Sequence, residues 1–231
     1  MIENSDFETF LYISKNKYQI FVYDKNNLKN LYNAEIQNNG EEELNILSKF
    51  LDNNIYKIEK RIKNFIRNII LIVEDDNVLD IGISLKKKNY EQNIDQKQLE
   101  NSLVEVKDIF KENYQDLIIM HMIIVEKQNS FLLNNTNNKD DYLFLEVNFI
   151  SISNNFTFNF NKLLENQQIK IKRYMSGGYI KSFLDKKLRE SFELFAMANK
   201  LNDGLNKNEV QLVPKGKENK GFFEKFFQLF S

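Results

Sequence analysis

Residues 9–37, "TFLYISKNKYQIFVYDKNNLKNLYNAEIQ", constrain the fold more than any other stretch of this chain. Apolar and polar residues alternate there in three short runs, and the breaks between them are Lys-Asn clusters. Period-two alternation places successive side chains on opposite faces of a strand, and breaks this short leave room only for antiparallel neighbours. The pattern predicts a meander of strands at about 9–14, 18–24 and 29–37. A helix is expected next, because "GEEELNILSKFLDNNIYKIEKRIKNF" moves Leu44, Leu47, Leu51, Ile55, Ile58 and Ile62 to steps of three and four. Glu41–Glu43 precede it, where a helix N-terminus favours anions.

Two strands joined by an Asp-Asp-Asn turn follow, "RNIILIVEDDN" and "VLDIGISLKKKNY". "NIDQKQLENSLVEVKDIFKEN" predicts an amphipathic helix with Leu99, Leu103, Val106 and Phe110 on one stripe and Asp95 as N-cap. "LIIMHMIIVEKQ" and "YLFLEVNFISIS" read as strands either side of a polar loop at 132–142. A helix over "NNFTFNFNKLLEN", a strand over "QIKIKRYM" and a long helix from Gly177 close the globular part. The whole is α/β, of the α+β kind. Residues 206–220 carry the only proline and little periodicity, which predicts a flexible linker.

Composition excludes several chemistries. With no cysteine there are no disulfides, thiolate ligands or cysteine nucleophiles. The formal charge of −1 shows no basic footprint, so no nucleic-acid partner is expected. "MIENSDFETF" lacks the basic and apolar regions of a signal peptide, and the longest nearly apolar run, "LIIMHMIIV", is far short of a membrane span of ~20 residues. His121 is the only histidine, so no metal site or Ser-His-Asp set can be assembled around it; a buried or edge-strand histidine meeting a neighbour is expected. Ser176-Gly177-Gly178 reads as a strand-to-helix turn, since no Gly-x-x-x-x-Gly-Lys frame surrounds it. Asp80-Ile81-Gly82 looks like the Asp-x-Gly phosphate turn of actin-like ATPases, but "LKKKNYEQN" follows where an apolar strand should. Gly82 is therefore expected to mark a strand bulge. No catalytic residue, cofactor or metal ligand is expected, and the chain reads as non-enzymatic.

The segment from Asn45 to Leu184 resembles FtsA, the bacterial cell-division actin homologue. The likeness is carried by "NNIYKIEKRIKNFIRNIILIVEDDNVLDIGISLKKKN", "NIDQKQLENSLVEVKDIFKENYQDLIIMHMIIVEKQNSFLL" and "FLEVNFISISNNFTFNFNKLLENQQIKIKRYMSGGYIKSFL". These resemble, in order, the family's helix and strand pair ahead of its inserted subdomain, the opening of that insert, and the remainder as far as the entry into the next helix. The resemblance implies a partial actin-like (ribonuclease H-like) half-domain at 1–91 and a strand-helix-strand-strand insert at 92–175. A closing helix at 176–205, the linker at 206–220 and a membrane-targeting helix at 221–231 complete the organisation. Ser14-Lys15-Asn16 stands where the family carries its Asp-Gly phosphate turn, and the second lobe of the actin fold has no counterpart, so nucleotide binding is not expected. The implied role is a peripheral adaptor on the cytoplasmic face of the inner membrane at the division site, with the ring protein FtsZ and further copies of itself as partners. The alternative is an actin-like scaffold of a type IV pilus or secretion platform.

The final stretch, "NKGFFEKFFQLFS", ends FtsA-like chains in the same manner. On a helical wheel Phe222, Phe223, Phe226, Phe227, Leu229 and Phe230 share a broad face opposite Glu224, Lys225 and Gln228. Lys215, Lys217, Lys220 and Lys225 are placed to meet anionic lipid headgroups, each worth roughly 1 kcal/mol near the surface. Interfacial burial is partial and ordering costs roughly 1–2 kcal/mol per residue, so one tail binds weakly and firm attachment needs many tails together.

Overall fold

The computed structural model describes residues 7–27, 29–38, 43–88, 96–129, 142–184 and 191–210. Two compact units are present: Met1–Val78 with Ile152–Leu205, and Leu79–Ser151 with Asn206–Ser231.

In the first unit the expected meander forms. Strands β1 (Phe7–Ser14), β2 (Lys17–Asp24) and β3 (Lys29–Gln37) pair antiparallel, with Phe10 opposite Phe21 and Ile20 opposite Ala34. Strand β4 (Asn68–Glu74) then lies parallel to β1 on its other side, and β8 (Lys170–Ser176) lies parallel to β4. The sheet order is β3-β2-β1-β4-β8. Central strands β1 and β4 are almost wholly buried, as the apolar runs "FLYI" and "IILIV" reflect, with Glu8 and Thr9 of β1 buried as well. The edge strand β3 is mostly exposed. Three antiparallel strands followed by parallel neighbours give the ribonuclease H-like half-domain that the resemblance implies.

Helices cover both faces. Helix α1 (Glu43–Ile62) buries Leu47, Leu51 and Ile58, whereas Leu44, on the expected stripe, is exposed. The Tyr32 hydroxyl donates to Asn54 Oδ1 of α1 at 2.6 Å, fixing this helix over β2 and β3. Helix α3 (Asn154–Asn166) starts on the Ser153 cap, whose hydroxyl accepts the Asn155 N–H at 3.2 Å. Tyr174 of β8 donates to Asn161 of α3 at 2.7 Å. The long closing helix expected from Gly177 is two helices, α4 (Gly177–Ser182) and α5 (Ser191–Asn202). Phe195 of α5 stacks on Phe21 at 4.4 Å between ring centroids and leans on Phe10 at 5.8 Å. Phe10 and Phe21 share one sheet face because they are cross-strand partners.

The second unit is the expected strand-helix-strand-strand insert. Strand β5 (Leu79–Lys88), helix α2 (Gln96–Asn113), strand β6 (Leu117–Asn129) and strand β7 (Tyr142–Ser153) form a sheet of order β5-β7-β6, with α2 packed against it. Leu99, Leu103, Val106 and Phe110 meet Leu145, Val147 and Phe149 as the stripe predicts, with Phe110 and Phe149 stacked at 4.5 Å.

Three expectations are corrected. The boundary drawn at 91/92 falls at Val78/Leu79, because β5 pairs with β7 over its full length; α3 and β8, assigned to the insert at 92–175, belong to the first unit through the β4–β8 ladder. Gly82 is not at a bulge: it sits in unbroken register opposite Asn148, on an open face where an added Cβ would meet nothing within 4 Å. The stretch from Asn206 is not all linker. Glu209 bridges to Ile123 of β6, Ile124 N–H donates to Asn208 O at 2.9 Å, and Val210 N–H donates to Met122 O at 2.8 Å. Val210 joins the second unit's core, so this end of the stretch is held by an apolar anchor.

Candidate functional site

In open α/β sheets, ligands sit in the crevice beyond the carboxyl ends of the parallel strands. Here β1 and β4 end together at Ser14 and Glu74, and a groove of about 490 Å³ lies there, lined by Tyr12, the Ser14–Lys17 turn and Glu74–Asp76. The turn has only two residues, Lys15 and Asn16, between its strands. Ser14 Oγ closes it twice, accepting the Lys17 N–H and donating to the Lys17 carbonyl, both at 3.2 Å. Asn38 N–H donates to Asn16 O at 2.6 Å.

Glu74 is the centre of the crevice. The Tyr12 hydroxyl donates to its Oε2 at 2.5 Å, and Lys181 of α4 donates to its Oε1 at 2.6 Å. Burial acts to raise the Glu74 pKa, but the hydrogen bonds from Lys181 and Tyr12, with the charges of Lys181 and Lys17, outweigh it and hold the carboxyl below its ordinary value. Burial first, then the hydrogen bond to Glu74 and its negative charge, push the Tyr12 phenol well above its usual range. Tyr12 is therefore a locked donor and not a proton-transfer group near neutral pH.

Helix α4 reaches Glu74 because of one glycine. A Cβ on Gly177 would lie 2.9 Å from Glu74 Cβ and 3.4 Å from the Val73 carbonyl, so only glycine lets the β8–α4 turn pass over the end of β4. Ser176 caps this short helix, its Oγ accepting the Tyr179 N–H at 3.2 Å. Ser176-Gly177-Gly178 is thus the strand-to-helix turn read from the sequence.

The remaining charges are also matched. Lys17 Nζ lies 3.4 Å from Glu35 and 5.7 Å from the centre of the Tyr12 ring. Lys15 lies 3.8 Å from Asp76, a pair so exposed that water screens most of its attraction. Asp75 accepts the Asn77 N–H at 2.8 Å and so organises the turn after β4. An anion cradle needs backbone N–H groups and cations aimed at an open space. In this crevice the three lysines face carboxylates of the same chain, and the turn is occupied by its own serine.

Asp80 lies elsewhere, the exposed second residue of β5, paired opposite Ile150 in an unbroken ladder. His121 is buried as expected, with Nδ1 2.7 Å from Glu209 Oε1, both side chains almost fully enclosed. Among the described residues no cluster of three or more His, Cys, Asp or Glu could hold a metal ion. No described helix is long and apolar enough to cross a membrane. Phe222, Phe223, Phe226, Phe227, Leu229, Phe230, Lys217, Lys220 and Lys225 lie outside the described residues. Sequence reasoning missed the Tyr12–Glu74–Lys181 network, whose members are 62 and 107 positions apart with no motif to join them.

No protein-family model matches the chain. No curated protein matches it. Among solved structures it is similar to one described as a PilM-PilN type IV pilus biogenesis complex, at 8% identity and TM-score 0.48, covering 76% of this chain and 49% of that one. It is also similar to the cytoplasmic domain of EpsL, an inner-membrane component of the type II secretion system of Vibrio cholerae (10% identity, TM-score 0.38, 76% and 59% covered). A third is a Bacteroides thetaiotaomicron protein of actin-like ATPase fold and unknown function (12%, TM-score 0.36, 79% and 58%). The chain spans less than two thirds of each of these. At such TM-scores the overlaps are partial, and the fold assignment rests on strand order and connectivity.

Proposed function

We propose that this chain is a non-enzymatic actin-like scaffold working at the cytoplasmic face of a membrane. The observation that supports the non-enzymatic part is the crevice, whose central carboxylate is claimed by Tyr12 and Lys181 of the same chain. A bound nucleotide would have to break those two contacts and the Ser14 closure of the turn before gaining any of its own. Calorimetry with Mg-ATP tests this: no saturable heat is expected. A clear binding isotherm that disappears in Ser14→Val would overturn it.

The membrane part rests on the Phe- and Lys-bearing tail, whose residue types suit weak and collective attachment to anionic lipid. Two settings are tested side by side. One is a type IV pilus or secretion assembly platform, the setting named for two of the structural neighbours; the other is the division ring, the setting of the sequence resemblance. Affinity purification at native expression level, read by mass spectrometry, separates them. Enrichment of pilus or secretion inner-membrane components without FtsZ is the expected result, and the reverse pattern returns the protein to cell division.

A further inference from the structure

The outward face of α1 and the turn that follows it carry two large aromatics that a monomeric fold has no reason to expose. Tyr56 is 70% and Phe65 69% exposed, whereas the opposite face of the helix is fully buried at Leu47, Leu51 and Ile58. Around them the sequence "YKIEKRIKNF" is strongly cationic. Lys49, Tyr56 and Lys60 follow one another at steps of seven and four, which places them on one stripe along the helix, and Lys63 is the first residue beyond its end. Lys60 and Lys63 share with Tyr56 and Phe65 the wall of an open groove of about 480 Å³.

The charge of this surface is not cancelled from within. Among the described residues Lys49, Lys57, Lys60, Arg61 and Lys63 form no ion pair. The one carboxylate in the groove, Glu59, is turned to the backbone, where its Oε1 accepts the Ile66 N–H at 3.0 Å and ties down the chain after the helix. The helix end turns at Lys63, which is left-handed with φ of 55°, and the Asn64 N–H donates back to the Glu59 carbonyl at 3.3 Å. Cations at a helix C-terminus favour the helix by themselves, but that accounts for Lys60 and Arg61 and not for two exposed rings beside them.

Cationic side chains surrounding exposed aromatic rings match the interface of an anionic bilayer, where lysines meet phosphate headgroups and the rings enter the boundary with the acyl chains. We propose that this surface at the end of α1 is a second membrane contact, docking on anionic lipid headgroups through Lys60 and Lys63 with Tyr56 and Phe65 as interfacial wedges. The inference deepens the membrane reading above and rests on it. Lipid is favoured over a nucleic acid because the chain as a whole carries no basic excess to steer a polyanion. A weak patch joined to a weak tail also gives the avidity that neither supplies alone.

Co-sedimentation of the full chain with phosphatidylglycerol-containing and with pure phosphatidylcholine vesicles tests it. Three full-length variants are compared: Lys60→Glu/Lys63→Glu, Tyr56→Ser/Phe65→Ser, and the tail change Phe226→Ser/Phe227→Ser. All patch positions are exposed, and circular dichroism confirms that each variant remains folded. The charge reversal should lower partition onto anionic vesicles roughly tenfold or more, and the aromatic change by a smaller factor at every salt concentration. If the tail variant loses binding while both patch variants pellet like the parent, the patch proposal fails and the membrane reading stands. Failure of the parent chain to pellet with anionic vesicles overturns both. If the patch variants lose binding to a single-stranded oligonucleotide or to polyglutamate with vesicle binding unchanged, the occupant is a soluble polyanion and the lipid assignment is wrong.

Discussion

Adjacent glycines at the start of α4 should respond in opposite directions to the same substitution. At Gly178 an added Cβ meets only Ser176 Oγ, at 3.7 Å, an ordinary contact. Neither glycine has a positive φ, the one such glycine among the described residues being Gly204. Gly178→Ala should therefore stabilise the protein by roughly 0.5–1 kcal/mol, the usual gain when a helical glycine loses its extra freedom in the unfolded chain. Gly177→Ala receives the same gain but drives its Cβ to 2.9 Å from Glu74 Cβ and 3.2 Å from Glu74 Oε2. Either the β8–α4 turn lifts or the end of β4 shifts, and overpacking of this kind costs about 1–3 kcal/mol. The carboxylate displaced is the one held by Tyr12 and Lys181, so the crevice loosens with it. The expected net effect is destabilisation by about 1–2 kcal/mol once the helical gain is offset. Urea unfolding followed by circular dichroism reads this as a lower midpoint at unchanged slope for Gly177→Ala, beside a raised midpoint for Gly178→Ala. Equal midpoints for the two variants, or a more stable Gly177→Ala, would show that α4 does not cross β4 this closely.

Other predictions concern the charged groups. The Glu74 pKa is depressed in the folded state, so its stabilisation is present above its ordinary value of 4.5 and is lost as pH falls through the folded value. Glu74→Gln should accordingly flatten the acid limb of a stability profile measured from pH 7 downward, and an unchanged acid limb would contradict the network. Glu209→Ala leaves His121 buried without its carboxylate and should cost about 1–3 kcal/mol. The same change should speed hydrogen exchange at the Ile124 amide, which donates to Asn208; protection equal to the parent's would mean that 208–210 is held by Val210 alone. Asp80→Ala, at an exposed position of β5, should change stability by no more than about 0.5 kcal/mol. A larger loss, measured in the same urea series, would mean that Asp80 has a partner.

Much of this architecture was legible in the chain because it is written in local period. Alternation over 9–37 specified three strands, and the steps of three and four over 44–62 and 99–110 specified helices whose buried stripes are, the exposed Leu44 and half-buried Ile62 apart, the expected ones. His121 was legible as a structural residue, since a histidine amid "IIMHMIIV" with no second ligand has little to do but find a neighbour. Its neighbour was not legible, because Glu209 lies 88 positions away in a stretch whose composition signals a linker. The backbone bonds of 208–210 and the buried Val210 correct that reading for 206–210, and residues 211–220 of the expected linker lie outside the described residues.

The sequence by itself determined the kind and order of the elements up to the closing helix, since a strand or helix records its burial pattern in its own residues; the insert was implied by the family resemblance. Only the tertiary structure decided which strand joins which sheet. β5 directly follows the turn after β4, yet its ladder partner is β7, and that pairing moved the unit boundary to Val78/Leu79. The crevice is likewise tertiary. Tyr12, Glu74 and Lys181 converge because β1 and β4 run in register to a common end and Gly177 lets α4 pass over it. Local period says which way a side chain points from its own strand. Which charge it meets depends on the register of strands far apart in the chain, and no window of sequence contains both partners.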